Sequence, residues 1–565
     1  MRLLPLAGAV CAALIAGSAT ATVTLKPLDR RINDASLDSI QELDGTRPFV
    51  KTTNGEPTIA EYGLALVSVF NTVGAQVAAN EQGQPYLERN LRLAYSHSQD
   101  GGRTWRSDYL PPLPGSTTTL GYGMVANDRL GRFYASGLGR DANGRITVTV
   151  NRSVDGGRNF AAAVPVDSAG RADRPWLAVG PAVGKTSARF RDNVYLSWVS
   201  FDDSVGSSVL RFARSTDGGA TFTTKTVFAP PPDPNQNNPQ NVVQFPTVAV
   251  DAYNGRIYVA FLQFGFVSSD YLRIMTSDDG GETFRPLAFN RPGSPSPEVL
   301  PSVQPGTYTE CSATRFEQPG SPPLFFGNTV LTLHSGPNLG GSASGYPRYA
   351  NATRVNMQPM LAVSKDVIHM VWAASTSDDF GAATSGANVL YMRSDNNGVT
   401  WSEPKAINAN AGGSNRSVTP AIAIGSFAGE TALPLLPSTN NVHITYYTQE
   451  PDGTLSFNLA QSSDRGRSFP DSKKRRLNSN PIELAPSSVP MPTEANPYQM
   501  THYDRLVTPC SSLGEYTGLS VGPGVLHAVW GDSSATMQQP VHPLDPISGQ
   551  THAKENVHFT TQLAF

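Results

Sequence analysis

The 565-residue sequence is poor in cysteine, in charge and in long apolar runs, and each shortage excludes something. Three cysteines, Cys11, Cys311 and Cys510, are too few for a disulfide framework. Charged residues make up only 16 % of the chain, and 43 basic residues nearly balance 46 acidic ones. That near-balance provides no basic face for nucleic acid or an anionic membrane. Beyond the N-terminus no apolar run is long enough to span a bilayer. The nine histidines show no HExxH or other zinc spacing. A phosphate-binding loop, a G-x-S-x-G elbow and a dinucleotide turn are absent as well. What is abundant is glycine (51) and proline (45), so turns must be frequent. Length alone suggests three or four domains.

The N-terminus reads as a cleaved secretory signal, residues 1–21. Arg2 starts it, Leu3 to Gly17 is apolar, and Ala19-Thr20-Ala21 is a small-residue cleavage site. The expected location is therefore secreted or periplasmic. Cys11 leaves with the signal, and Cys311 and Cys510 remain as a candidate disulfide in an oxidising compartment.

One eight-residue pattern recurs six times: Ser, any, Asp, any, Gly, any, Thr, aromatic. It reads Ser98-Gln-Asp100-Gly-Gly102-Arg-Thr104-Trp105 at its first occurrence. Further copies start at Ser153, Ser215, Ser277, Ser394 and Ser462, with Asn159 for Thr in the second, Asn396 for Asp in the fifth and Ser468 for Thr in the sixth. A short carboxylate that accepts backbone N–H bonds, followed by glycine, is hairpin-turn chemistry. The closing aromatic begins the next strand, and alternating apolar runs flank each turn. This pattern resembles the Asp box of the sialidase (BNR-repeat) superfamily, whose members are β-propellers.

Spacing supports a repeat architecture. Successive first serines lie 55, 62, 62, 117 and 68 residues apart. Runs that read as innermost strands start near Thr58, Gly123, Pro175, Pro246, Pro359, Pro420 and Thr517. The expectation is an all-β propeller of seven four-stranded blades, with six, the sialidase number, and eight as alternatives. The last unit lacks a box and an outer strand. An N-terminal segment, Thr22 to Lys26 or Pro48 to Lys51, is expected to supply that strand and close the ring. Residues 22–565 then form one domain, with a long loop insertion at about 285–356.

In this topology the boxes are turns between the third and fourth strands and share one face. Their aspartates are spread around a ring and are scaffold. The basic run Lys473-Lys474-Arg475-Arg476 after the sixth box reads as a solvated loop. Long connections lie on the opposite face, where binding and catalytic groups concentrate, and they include Asn71 to Asn90 and Asp532 to Asn556 between second and third strands. Residues at the heads of the inner strands point to the channel mouth there: Tyr122, Asp173, Arg174, Gln244, Gln358, Thr419, Glu515 and Tyr516. Neighbouring loops add Asp504, Arg505, Arg348 and Arg354. Cys311 and Cys510 fall in two loops of that same face, so a bridge would staple them. Arginines, carboxylates and tyrosines together suit an anionic sugar. The candidate catalytic set is Asp173, Arg174, Glu515, Tyr516 and Arg505, and the candidate substrate-binding set is Tyr122, Gln244, Arg348, Arg354, Gln358 and Asp504. No metal ligand set is visible. Asp202-Asp203, Asp278-Asp279 and Asp378-Asp379 are candidates only for structural calcium.

The resemblance implies exo-glycosidase action of the sialidase kind on terminal sugars of a glycan or glycoconjugate, with a tyrosine nucleophile. Against the family pattern, the only early Arg-Ile-Pro-like match is Arg47-Pro48, which lacks the middle residue. Glu515 and Tyr516 are adjacent, whereas the family pair comes from separate segments. A non-catalytic glycan- or protein-binding propeller and a polysaccharide lyase are the competing readings. A monomer without cofactor is expected.

Overall fold

The computed structural model describes residues 29–34, 39–41, 48–50, 54–79, 85–185, 191–202, 207–230, 242–264, 271–287, 358–375, 387–408, 416–425, 441–452, 454–482, 513–522, 524–538 and 551–563. Among them are seven antiparallel blades, so the protein is a seven-bladed β-propeller. In each blade the strands follow the order A, B, C, D from the axis outward. Blade 1 comprises Asn54–Tyr62, Ala65–Ala79, Pro85–Ser98 and Arg106–Tyr109. The A strands of the next five blades are Thr119–Asn127, Arg171–Gly180, Val242–Val250, Met360–Ser364 and Arg416–Ile424. Blade 7 has Gly518–Val521, Val525–Gln538 and Thr551–Leu563 as its A, B and C strands. Successive A strands pack against each other around the ring, which makes them innermost. Blades 5 and 6 also touch through one parallel pair, Ala387 with Arg416.

The ring closes as expected in kind but with different residues. Arg30–Arg31 pairs antiparallel with His558 and Phe559 of blade 7 and serves as its outer strand. Pro48–Val50 pairs instead with Ser39–Gln41 in a small hairpin. Thr22 to Lys26 lies outside the described residues. Asn33 extends the closure, because its Oδ1 accepts the Val557 N–H at 2.9 Å.

Strands between two blades are buried on both faces. Phe133–Arg140, strand B of blade 2, is buried from Phe133 to Gly139. Each interface is a separate apolar layer. Tyr195 and Phe212 of blade 3, for example, pack with Val243, Val259 and Phe261 of blade 4.

All six repeated turns join strand C to strand D. In the first, Ser98 Oγ donates to Asp100 Oδ1 at 2.7 Å and accepts the Gly102 N–H at 2.9 Å. Asp100 also accepts Thr104 N–H at 2.9 Å and Thr104 Oγ1 at 2.6 Å. In the fourth turn burial raises the Asp279 pKa, yet bonds from Thr283 and Ser277 outweigh it and hold that carboxyl down at about 2. The second box glycine meets the preceding blade. A Cβ on Gly102 would lie 2.6 Å from Phe559 of blade 7, and one on Gly281 2.6 Å from Phe212 of blade 3. The boxes are therefore joints between blades, which assigns their aspartates to the scaffold. Gly281 has φ +91°. Gly281→Ala is expected to cost about 1–3 kcal/mol, from left-handed backbone plus overpacking, and calorimetry would read this as a lower melting temperature.

Three sequence readings are corrected. Residues 71–90 and 532–556, expected as B–C loops, mostly continue strands B and C into long hairpins. They remain paired out to Ala79 with Pro85 and Gln538 with Thr551. Lys473 to Arg476, read as a solvated basic loop, contains strand D of blade 6 at Lys474–Arg476. The loop insertion expected from 285 begins with Arg285–Pro286, strand D of blade 4, and residues 288–357 lie outside the described residues.

Candidate active site

Five A strands share one irregularity near their heads. Their pairing with strand B slips between Gly55 and Thr58, Gly121 and Met124, Asp173 and Trp176, Gln244 and Thr247, and Val418 and Ala421. At each slip a non-glycine residue adopts left-handed backbone: Glu56, Tyr122, Arg174, Phe245 and Thr419, with φ between 51° and 58°. Four of these five precede proline, whose ring disfavours helical backbone in the residue before it. Such conformations cost of order 1–3 kcal/mol each and persist only where surroundings enforce them. The ring enforces them here at equivalent places, on the face reached by the D–A connections.

This device brings distant residues to the axis. Arg174 Nη2 donates to Glu515 Oε1 at 2.8 Å, across 341 residues of chain, and Nη1 pairs with Glu515 Oε2. Arg174 Nε faces Asp173 Oδ2 at 3.5 Å. Gln244 Nε2, from blade 4, donates to the same Asp173 oxygen at 3.4 Å. The guanidinium lies over the Phe245 ring at 4.3 Å and the Tyr122 ring at 5.7 Å. Arg174 and Glu515 are only 5 % and 3 % exposed, so this is an ion pair largely removed from water.

Tyr516 follows Glu515 in the chain, and its side chain is buried in the apolar layer between blades 2 and 3. Its ring meets Trp176 edge-on at 5.7 Å, and its hydroxyl donates to Gly123 O at 3.5 Å. Gln358 is buried just before strand A of blade 5. Arg505, Asp504, Arg348, Arg354, Cys311 and Cys510 lie outside the described residues. Of the calcium candidates, Asp278 is engaged by Arg256 and Arg285, and Asp279 holds a box turn. Asp203 and Asp378-Asp379 lie outside the described residues.

Sequence reasoning missed Glu56. It is fully buried, its Oε1 accepts the Glu515 N–H at 2.9 Å, and its Oε2 accepts from Asn71 Nδ2. A usable signal was present: Glu56-Pro57 is in register with Arg174-Pro175, Phe245-Pro246 and Thr419-Pro420 at the heads of the A strands. Chemically, the site offers carboxyl groups suited to proton transfer and a guanidinium that fixes two of them.

No family model matches the chain, and no curated protein does. Solved structures similar to it include a protein of unknown function from Dyadobacter fermentans DSM 18053, at 10 % identity and TM-score 0.38, covering 95 % of this chain and 98 % of that one. A Hadza microbial sialidase is 10 % identical at TM-score 0.37, covering 85 % and 73 %. An ulvan lyase bound to -[GlcA(1-4)Rha3S]- is 12 % identical at TM-score 0.37, covering 74 % and 83 %. The blade count stands on this chain's own strand order.

Proposed function

We propose that the protein is an exported glycan-cleaving propeller, acting as an exo-glycosidase of the sialidase kind on terminal, preferably anionic sugars. The observation that carries this is the convergence of Asp173 and Glu515 on one guanidinium, from segments 341 residues apart. In this reading Asp173 protonates the leaving oxygen, and Arg174 holds Asp173 and Glu515 in register. The Tyr516 hydroxyl is the proposed nucleophile: Glu515 takes its proton as the tyrosine oxygen bonds to the anomeric carbon and the leaving oxygen departs with the proton from Asp173. Arg348, Arg354, Asp504 and Arg505 are the proposed sugar contacts, with Tyr122, Gln244 and Gln358 at the inner rim.

A second reading has its own support. Arg174 and Glu515 already satisfy each other and are almost unexposed. That favours a structural plug beneath a non-catalytic, glycan-binding face.

Turnover of a fluorogenic sialoside, beside a panel of other glycosides and acidic polysaccharides, separates the readings. Hydrolysis lost in Asp173→Asn and in Tyr516→Phe, with unchanged melting, is the expected result. Full activity in both variants would overturn the assignment. An unsaturated, ultraviolet-absorbing product would make the enzyme a lyase. Binding without turnover would leave the plug.

A further inference from the structure

Far from the axis, where the N-terminal segment closes the ring, three side chains from separate elements face one another. Asp29 immediately precedes the closing strand, Asp532 lies on strand B of blade 7, and His558 lies on strand C of the same blade. One ligating atom from each lies within 4.8 Å of the others. The side chains of Asp532, Asp29 and His558 are 1 %, 5 % and 15 % exposed.

The contacts inside this cluster are long. His558 Nδ1 is 3.4 Å from Asp29 Oδ2 and 3.6 Å from Asp532 Oδ2. A charge-assisted N–H···O⁻ bond is shorter, about 2.7–2.9 Å. A single N–H also cannot point at two carboxylates at once. Both aspartates are instead oriented by other groups. Trp530 Nε1 and Ser534 N–H hold Asp532, and Ser479 holds Asp29 through its N–H and hydroxyl. Two pre-oriented carboxylate oxygens and an imidazole nitrogen thus surround a common point without bonding closely to each other.

We propose that Asp29, Asp532 and His558 form a binding site for a divalent transition-metal cation that fastens the N-terminal closure to blade 7. One nitrogen and two oxygens match Zn²⁺ or Mn²⁺, whereas calcium prefers an all-oxygen shell. Two carboxylates neutralise the cation's charge, and the remaining positions are open to water. Around a tetrahedral zinc with bonds of about 2.0–2.2 Å, ligand atoms sit roughly 3.3–3.6 Å apart, which the two separations of His558 from the aspartates, 3.4 and 3.6 Å, already match. Because Asp29 belongs to the first described strand region and His558 to the last strand of the ring, metal binding would cross-link the two ends of the fold.

The test uses the full mature chain, stripped with a chelator and titrated with Zn²⁺ or Mn²⁺ by calorimetry, with Mn²⁺ occupancy also read by electron paramagnetic resonance. One Mn²⁺ per chain and a melting temperature raised by several degrees are expected, since a ligand that binds only the folded state stabilises it. Asp29→Asn keeps one of the two acceptor oxygens that Ser479 uses and should weaken binding at least tenfold, as should His558→Gln. Absence of stoichiometric Zn²⁺ or Mn²⁺ binding overturns the proposal, as does binding of equal strength in both variants. Stronger binding of Ca²⁺ or Mg²⁺ than of either transition metal also overturns it. None of these readouts depends on glycan cleavage, so the site stands or falls apart from the proposed activity.

Discussion

Arg174→Ala should lower the stability of the propeller by about 3–5 kcal/mol, the cost of breaking a buried ion pair by removing one partner. The guanidinium contacts both oxygens of Glu515 and faces Asp173, so its loss strands two carboxylates in a site that is almost dry. Its stacking on Phe245 and Tyr122 disappears with it. The companion variant Arg174→Met with Glu515→Gln and Asp173→Asn removes all three charges and keeps much of the volume. It should recover a large part of the loss, because the penalty lies in an uncompensated charge rather than in a missing attraction. Thermal unfolding of the wild type and the two variants under identical buffer provides the comparison. An Arg174→Ala protein that melts within a degree of the wild type would show that the axial pair is not desolvated as its burial implies. Single substitutions at box turns fall well below this effect, because each disturbs one of several joints.

The contrast between what could be read in the sequence and what could not has a physical basis. The boxes were legible because a C–D hairpin built on a serine, a short side-chain acceptor and a left-handed glycine leaves little freedom in residue type. Strand A was legible because its apolar run starts at a fixed proline or glycine. The long hairpins of blades 1 and 7 were not. Beyond Asn71 and Asp532 their sequences, Thr72-Val-Gly-Ala-Gln-Val-Ala-Ala and Ser533-Ser-Ala-Thr-Met-Gln, show no sustained alternation of apolar and polar residues, so no period of two marks them as strands. The closing strand was expected at Thr22 to Lys26 or Pro48 to Lys51 rather than between them, because only two residues pair and Arg30-Arg31 carries no apolar signature. At the axis, Asp173, Arg174, Gln244 and Glu515 were found from their position at strand heads. Glu56 was missed because its partner is a backbone N–H 459 residues away, which no local pattern encodes.

Glu61→Gln should give the protein a stability that climbs with pH between about 4 and 6.5, a slope the wild type does not show from this site. Glu61 is the penultimate residue of strand A of blade 1, and its Oε2 lies 3.4 Å from His527 Nε2 on strand B of blade 7. Gly522 leaves room for the carboxyl, since a Cβ there would collide with it. Burial pushes the Glu61 pKa up to about 7 and the His527 pKa down to about 4. Each shift acts on stability with its own sign. The folded chain binds the Glu61 proton more tightly than the unfolded chain. That contribution is therefore complete below the ordinary value of 4.5 and is lost as pH rises through 7. The folded chain resists protonating His527, so that contribution is complete above 6.5 and is lost as pH falls through 4. Between 4.5 and 6.5 the two slopes are equal and opposite, and a neutral acid beside a neutral imidazole is insensitive to pH. Removing the carboxyl leaves the histidine alone, at about 1.4 kcal/mol per pH unit and roughly 3 kcal/mol across its window. His527→Gln should produce the mirror image, stability falling as pH rises from 4.5 to 7. Subtracting the wild-type denaturation profile from each variant cancels every other titrating group, including the box aspartates. Variant profiles that run parallel to the wild type across this range would mean that Glu61 and His527 titrate as solvent-exposed groups, and that the joint between blades 1 and 7 is open to water.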